Sequence, residues 1–378
     1  SAGPSPLRLG PDQWLFGPVH LAGSGGQGQI QASSGQGRLQ LAATAAGPGM
    51  GTFSATLQAA MAGPWRLDRQ GPWQGQGRFA VPDLAWIGPW IGENWQSAGA
   101  LEGAWRLGGT PARPLLGGSL RGENLALGGL DQGLRLERGR LVAELADNLL
   151  QVRTCEFDSP LRPLPPALAQ WGSAELAAVV SRPGHLSVRG QTWLLERPGA
   201  ERGVLELHLD RIGALQTPEQ WVVLSGEGRL AWQEQALAAS ARLKVDGADW
   251  QLARAGLPQL SDDVVIRGSL RHPGANRPRL DVDIETDLGS AFLFRGAGLE
   301  SRLAGQIRLQ ARGRDLPRAS GSIRTVGGRF DAYGQQLEIE RGAINFQGLL
   351  ENPGLNVRAV RRGLAVEAGV EVGGSARR

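Results

Sequence analysis

The sequence predicts an all-β protein, an antiparallel sheet with few short helices, and three observations carry that reading. Apolar residues recur at every second position from one end of the chain to the other. Glycine (57) and proline (23) make up about a fifth of the 378 residues and punctuate the alternating runs with turns. Only two brief segments carry a helical spacing. At this length the chain exceeds one compact core of ordinary size, so two domains or an elongated body is expected.

Taken along the chain, the alternating units include Leu101, Gly103, Trp105 and Leu107, then Leu134 with Leu136, and Leu141, Ala143 and Leu145. Leu205, Leu207 and Leu209 follow, and the longest central unit is Leu237, Ala239, Ala241, Leu243 and Val245. Leu280, Val282 and Ile284 form the next, with Asp281, Asp283 and Glu285 on the opposite face. In 299–309 the face holds Leu299, Ser301, Leu303, Gly305, Ile307 and Leu309, against Glu300, Arg302, Gln306 and Arg308. Leu337 and Ile339, Ile344 and Phe346, then Leu364, Val366, Ala368 and Val370 complete the series. The apolar positions are odd before Gly342 and even after it, so a tight turn or a bulge is expected there. Strands close in sequence should pair as an antiparallel meander.

A short helix is expected near 82–91, where Pro82 precedes apolar residues at helical spacing, and another at 210–215 behind the cap residue Asp210. The segment 160–166, with Pro160, Pro163, Pro165 and Pro166, interrupts the β rhythm and reads as a hinge. The expected division is therefore 1–160, 161–279 and 280–378.

Composition excludes several functions. The net charge is only +4, all but one of the 40 basic residues are arginine (Lys244 is the exception), and acids are interspersed with them. A nucleic-acid surface needs a basic stripe with stacking aromatics, and neither is present. The single cysteine, Cys155, forbids an intrachain disulfide and has no histidine near it in sequence. His20, His185, His208 and His272 lack metal-ligand spacing, and His208 should face water between Leu207 and Leu209. The G-x-G-x-x-G letters from Gly23 to Gly28 lead into another alternating strand instead of a helix, so they are no nucleotide loop. Asp262 with Asp263, and the acids of 281–285, are expected as outward-face residues and not as a catalytic carboxylate pair. No enzyme activity and no cofactor is expected. No apolar run approaches the roughly 20 residues that span a bilayer, and the N-terminus reads as cut from a longer chain. Twelve tryptophans against one tyrosine, with six of them between 65 and 105, fit a ligand groove, a lipid interface or plain packing.

A sheet with one apolar face must bury that face. A sandwich, a closed barrel or a long curled trough would each do so. Roughly 25–30 short strands at about 4.8 Å spacing would give a trough on the order of 120–140 Å long.

The C-terminal residues resemble a known family. Asp287, Leu288 and Gly289, then Phe292 to Leu299, Gly327 to Gln335, Leu337 to Gly342, Phe346 to Gly348, Asn352 to Leu355, Ala359 to Arg362 and Val366 to Val370 are similar in order and kind to the TamB family. Asp83 to Trp86, Gly108 to Pro111 and Pro114 to Gly118 are similar too. The resemblance implies a periplasmic β-taco: an elongated, curled antiparallel sheet around a continuous apolar groove. It implies an inner-membrane anchor upstream and an outer-membrane barrel partner, TamA, reached through a tail beyond this sequence. The function it implies is phospholipid transport between the two membranes in support of outer-membrane biogenesis. The alternative is insertion or secretion of autotransporters and other β-barrel proteins with TamA. The residues expected to line the groove against acyl chains are Leu237, Leu243, Val245, Leu280, Val282, Ile284, Leu303, Ile307, Leu309, Leu337, Ile339, Ile344, Phe346, Leu364, Val366 and Val370.

Overall fold

The computed structural model describes residues 7–23, 26–195, 202–233, 236–252, 279–296, 298–313, 315–332, 335–361 and 368–375. The chain divides into two compact units. Unit 1 comprises Ser1–Asp131, Arg135–Asp158 and Ser187–Pro198; unit 2 comprises Gln132–Leu134, Ser159–Leu186 and Gly199–Arg378.

Unit 1 carries β1 (Leu7–Leu9), β2 (Trp14–Gly23), β3 (Gly26–Gly35), β4 (Arg38–Gly47), β5 (Gly51–Gly63), β6 (Arg66–Leu67) and β7 (Trp73–Val81). Helix α1 (Gly88–Ile91) then leads into β8 (Trp95–Thr110), β9 (Arg113–Gly129), β10 (Leu134–Ala146) and β11 (Leu149–Ser159). Strands β1 to β5 pair antiparallel in order, β6 is a short flap on β5, β7 returns to β5 and continues antiparallel through β8 and β9, and β10 pairs antiparallel with β11. Helix α1 lies inside the helix expected near 82–91, shortened to one turn.

Two helices follow, α2 (Pro166–Ala169) and α3 (Ala174–Val179), then β12 (Gly184–Trp193), which the unit boundary divides. Unit 2 continues with β13 (Gly203–Gln216), β14 (Gln220–Gln233), β15 (Ala236–Gln251), β16 (Arg279–Asp287), β17 (Phe292–Gly296) and β18 (Leu299–Arg312). It ends with β19 (Arg318–Ala332), β20 (Gln335–Leu349), β21 (Gly354–Arg361) and β22 (Ala368–Ser375). Among the described residues there are 22 strands, several of which reach 14 to 17 residues and absorb two expected units each.

One expectation of the meander fails. Strand β15 pairs parallel with β16 and, farther along, with β17, while β18 closes antiparallel on both. Parallel neighbours cannot be joined by a tight hairpin; residues 253–278, between β15 and β16, lie outside the described residues. Asp262, Asp263 and His272 lie in that segment.

Bulges interrupt the register of several strands, and a bulge locally bends the strand that carries it. Register shifts occur between Phe16 and Val19, Ala98 and Ala100, Leu209 and Ile212, Val223 and Leu224, and Ile339 and Arg341. The last explains the phase change at Gly342: β20 runs straight through as one strand, and an extra residue flips its apolar set from odd to even. A second bulge corrects the expected helix at 210–215, which is strand β13. There Arg211 adopts a left-handed backbone (φ 51°), a conformation that ends the ladder locally instead of starting a helix.

The start of the proline-rich stretch is anchored by hydrogen bonds. The buried Gln216 side chain donates to the Pro160 carbonyl (3.0 Å) and accepts from the Arg162 amide (2.6 Å), clamping its start. Ser173 caps α3 by accepting from the Leu176 amide at 3.4 Å. The Arg211 guanidinium donates to the carbonyls of Val179, Arg182 and Pro183, which ties down the far end of that helix.

Candidate functional site

Directly opposed residues in a ladder point to the same face, so register assigns each side chain to one side. In unit 2, Leu205, Leu230, Ala239, Val282 and Ala311 form one row across five strands. Leu207, Gly228, Ala241, Ile284, Leu309 and Ala319 form the next. Leu243, Thr286, Ile307, Gly321 and Phe346 form a third. Gly305, Ile323, Ile344 and Leu355 form a fourth.

Of the expected lining residues, Leu237 faces Leu280 in the parallel pair, Leu337 faces Phe330, and Ile339 faces Ala359, which in turn faces Val370. Val245 continues the face of Leu243. The strands therefore bring all of these onto one apolar face; Leu364 and Val366 lie outside the described residues. Their burial is uneven. Val245, Leu337 and Ile339 are buried, whereas Leu280 and Val370 keep 44% and 41% of their surface open.

The opposite face of unit 2 is a lattice of arginine–carboxylate pairs. Arg308 holds Asp283 through both nitrogens, at 2.7 and 2.5 Å, and pulls the Asp283 carboxyl down to about 2. Asp281 is lowered mainly by its hydrogen bond from Arg279, and Asp287 by the Gly289 amide. Arg329 pairs with Glu300 and Arg358 with Glu340, each at 3.1 Å. Acids held ionised in this way are poor proton donors near neutrality. His208 is exposed, with Glu227 at 4.0 Å. Burial, with Glu156 adding, pushes the Cys155 thiol up, away from the reactive thiolate. Among the described residues no group of three or more His, Cys, Asp or Glu could hold a metal.

At one end of the unit 2 strands both faces are apolar. On the outer side Leu168 and Leu176 of the α2–α3 hairpin bury Trp221, Val223, Ala291 and Leu293. Arg302 stacks over Trp171 at 5.3 Å, and Arg295 makes a bidentate pair with the buried Asp249 (2.6 and 2.7 Å). On the inner side Val222, Val245, Ala248 and Leu288 are closed over by Leu215, Trp250, Phe292, Leu303 and Ile323. Leu303 is thus a packing residue of a buried cluster. Sequence reading missed this two-sided core because four- and six-residue helices are too short to show a 3.6 period, although the Ser173 cap and Pro166 were there to be read.

Unit 1 repeats the one-faced pattern with different residues. Its apolar rows include Ala32, Leu41, Leu57, Gly75 and Leu107, then Ile30, Ala43, Ala55, Gly77 and Trp105, then Ala45, Phe53, Phe79 and Gly103. Large rings lie on glycines: a Cβ on Gly77 would stand 2.5 Å from the Trp105 ring, and one on Gly103 2.7 Å from Phe79. Trp14 stacks on Trp65 (5.1 Å between centroids, 3° between planes), and Trp73 donates to the Gly108 carbonyl at 2.8 Å. At the opposite strand ends Trp86 and Trp90 meet edge to face, with Trp90 82% exposed. The polar face of β3, β4, β5 and β7 presents Ser33, Gln40, Gln58 and Gln74 in one row and Gln31, Ala42, Thr56 and Gln76 in the next. Gln29, Thr44, Ser54 and Arg78 make a third row, and Gln27, Ala46, Thr52 and Ala80 a fourth.

No helix among the described residues is long and apolar enough to cross a membrane. Comparison with known proteins bears on the same strands. The family described as TamB C-terminal domain matches residues 176–378. The Translocation and assembly module subunit TamB of Haemophilus influenzae is 28% identical over 169 residues, covering 40% of this chain. That match spans only 12% of the relative's length. With the family match covering more than half of an all-β chain whose strands carry the resembling residues, this chain belongs to the TamB family.

Proposed function

We propose that the apolar face is a conduit for phospholipid acyl chains, carrying lipid across the periplasm between the inner and outer membranes in support of outer-membrane biogenesis. The observation that supports this most is the continuity of the inner face in unit 2. Leucine, isoleucine, valine and alanine rows cross strand after strand, while away from the helical hairpin the other face carries charged and polar residues with an occasional alanine such as Ala238 or Ala304. Acyl chains need contact area and no directional partner, so such side chains act together and none is catalytic. Head groups would stay at the polar margin. In this reading the chain is part of a longer envelope protein, anchored in the inner membrane by a segment outside this sequence.

The experiment is mass spectrometry of lipids extracted from the purified chain. Co-purifying phospholipid is expected, and its amount should fall in an Ile307→Asp variant that keeps its melting temperature. A chain that carries no lipid from cells rich in it would overturn the proposal.

A second reading is favoured by one feature. Strand β22 pairs only with β21 among the described strands and leaves Val370 and Val372 41% and 49% exposed. An open strand edge of this kind can add a strand from another chain. The relative's name, with its translocation and assembly module, fits a role beside a barrel partner such as TamA in assembling outer-membrane β-barrels. Crosslinking from Glu371 to a barrel segment, with no lipid on the inner face, would favour this reading over the first.

A further inference from the structure

The connection between β7 and β8 turns large apolar side chains outward and holds them there. Leu84 is buried, and its carbonyl accepts from the Ser97 hydroxyl (2.6 Å), which itself accepts from the Gly88 amide (2.7 Å). The Leu84 amide donates to the Gly99 carbonyl at 2.9 Å. Gly88 lies so close to β8 that a Cβ there would stand 2.5 Å from the Trp95 carbonyl. On this clamped base Trp86 and Trp90 meet edge to face with 6.0 Å between centroids, 48% and 82% exposed. Ile91 is exposed too, as is Leu130, whose amide ties it to the same loop through the Asn94 carbonyl at 3.0 Å. Buried tryptophan rings are the rule, and aromatic anchors on a rigid frame dominate interfaces because little order remains to be gained on binding.

The charge around these rings has one sign. Residues 82–99 and 122–131 hold Asp83, Glu93, Glu123 and Asp131 and no arginine or lysine, in a chain that elsewhere intersperses the two signs. None of the four forms an ion pair among the described residues; Asp131 accepts from the neutral Asn94 amide at 2.9 and 3.0 Å. The flanking cations are placed elsewhere. Arg121 stands across from Glu102, roughly 20 Å down β8 from Trp95, and Arg135 is held by Glu137 at 3.1 Å.

We propose that this loop is a docking platform for a basic, partly apolar segment of another protein, whose arginine or lysine side chains lie on the Trp86 and Trp90 rings. Two separate features attract the same group. A tryptophan face attracts a cation, and the chain itself uses that contact where Arg302 stands 5.3 Å over Trp171. The unpaired carboxylates attract it by charge. Ile91 and Leu130 offer apolar contact to the side chains that flank the cation. A phospholipid surface fits less well, because its phosphates would meet these carboxylates with no cation in either stretch to receive them. The proposal does not rest on the lipid reading: a chain found free of lipid would leave it standing.

The test is fluorescence anisotropy of a labelled peptide of repeated Arg-Leu-Ala triplets against the whole chain, beside the same peptide with citrulline, an uncharged isostere, for arginine. The chain's net charge of +4 gives the basic peptide no general attraction. The arginine peptide should bind at least about tenfold more tightly than the citrulline one, and salt should weaken it. A Trp86→Ala, Trp90→Ala variant should lose about tenfold in affinity and keep its melting temperature. Should that variant melt lower, Glu93→Gln decides, with an expected loss of about threefold. Trp65→Ala, at an exposed ring that stacks on Trp14, should bind like the parent chain. Equal binding of the two peptides, or parent affinity in the double variant, would overturn the proposal. So would binding to phosphatidylcholine vesicles that the double variant loses, which would assign the rings to a membrane surface, or a dimer of the chain that only the double variant lacks.

Discussion

The two units answer the same requirement with different chemistry. Unit 1 fills its apolar face with large rings laid over glycines, Trp105 on Gly77 and Phe79 on Gly103, and on β3, β4, β5 and β7 turns glutamine, serine and threonine outward with few charges. Unit 2 uses branched aliphatic residues inside and arginine–carboxylate pairs outside, and adds a helical hairpin that makes one end a two-sided core. The difference teaches that an alternating strand specifies only which side is apolar. Unit 1 should respond to changes in side-chain volume, and unit 2 to lost core contacts and to pH.

The largest effect is expected at the two-sided core. Leu168→Ala, at a side chain with no exposed surface, should cost about 2–5 kcal/mol in chemical denaturation and make the 159–186 segment protease-sensitive. A cost of only a few tenths would mean the hairpin does not hold unit 2 together. Next comes Gly77→Ala, where the new methyl meets the Trp105 ring; overpacking should cost about 1–3 kcal/mol and shift tryptophan fluorescence, leaving unit 2 proteolysis unchanged. A stabilised variant would show that the ring moves freely, against the interlocked description.

The smallest expected effect is electrostatic. Asp283 titrates near 2 in the folded chain because Arg308 favours its charged form, against about 3.9 for an unperturbed aspartate. Its contribution is therefore complete above pH 4 and fades as the pH falls toward 2. Asp283→Asn should remove that part of the acid sensitivity of unit 2 and leave unit 1 unaffected, as followed by circular dichroism. Because the pair is partly exposed, salt should weaken it as well. An acid transition identical in the variant would place the sensitivity elsewhere.

The inner face also offers a contrast within unit 2. Leu303 packs against the buried cluster of Val222, Val245, Ala248 and Leu288, whereas Ile307, equally half-buried, sits opposite Thr286 and Gly321 outside it. Leu303→Asp should lower the melting temperature sharply, while Ile307→Asp should chiefly reduce bound lipid. Loss of lipid in both with no change in melting would contradict the distinction.

Much of this was legible in the residues. Period-two alternation put Ile284, Leu309, Ile344 and Phe346 on one face, and the odd-to-even change at Gly342 announced a bulge. Strand direction was not legible, because parallel and antiparallel neighbours leave the same alternation; hence the β15–β16 pair came unannounced. Asp210 resembled a helix cap because capping side chains also favour bulges and turns, and the Arg211 backbone took that second course. The stacking of rings on glycines was hidden for another reason: register joins residues 28 apart, such as Gly77 and Trp105, and sequence spacing does not give it.

The central claim is that the apolar face is occupied by acyl chains. Photo-crosslinking side chains placed at Ile307 and Ile344 on the inner face, and at Arg308 and Asn345 on the outer, test it most directly in cells. The account expects phospholipid adducts at the first pair and none at the second. Equal labelling of both faces, or protein adducts alone at Ile307 and Ile344, would contradict it.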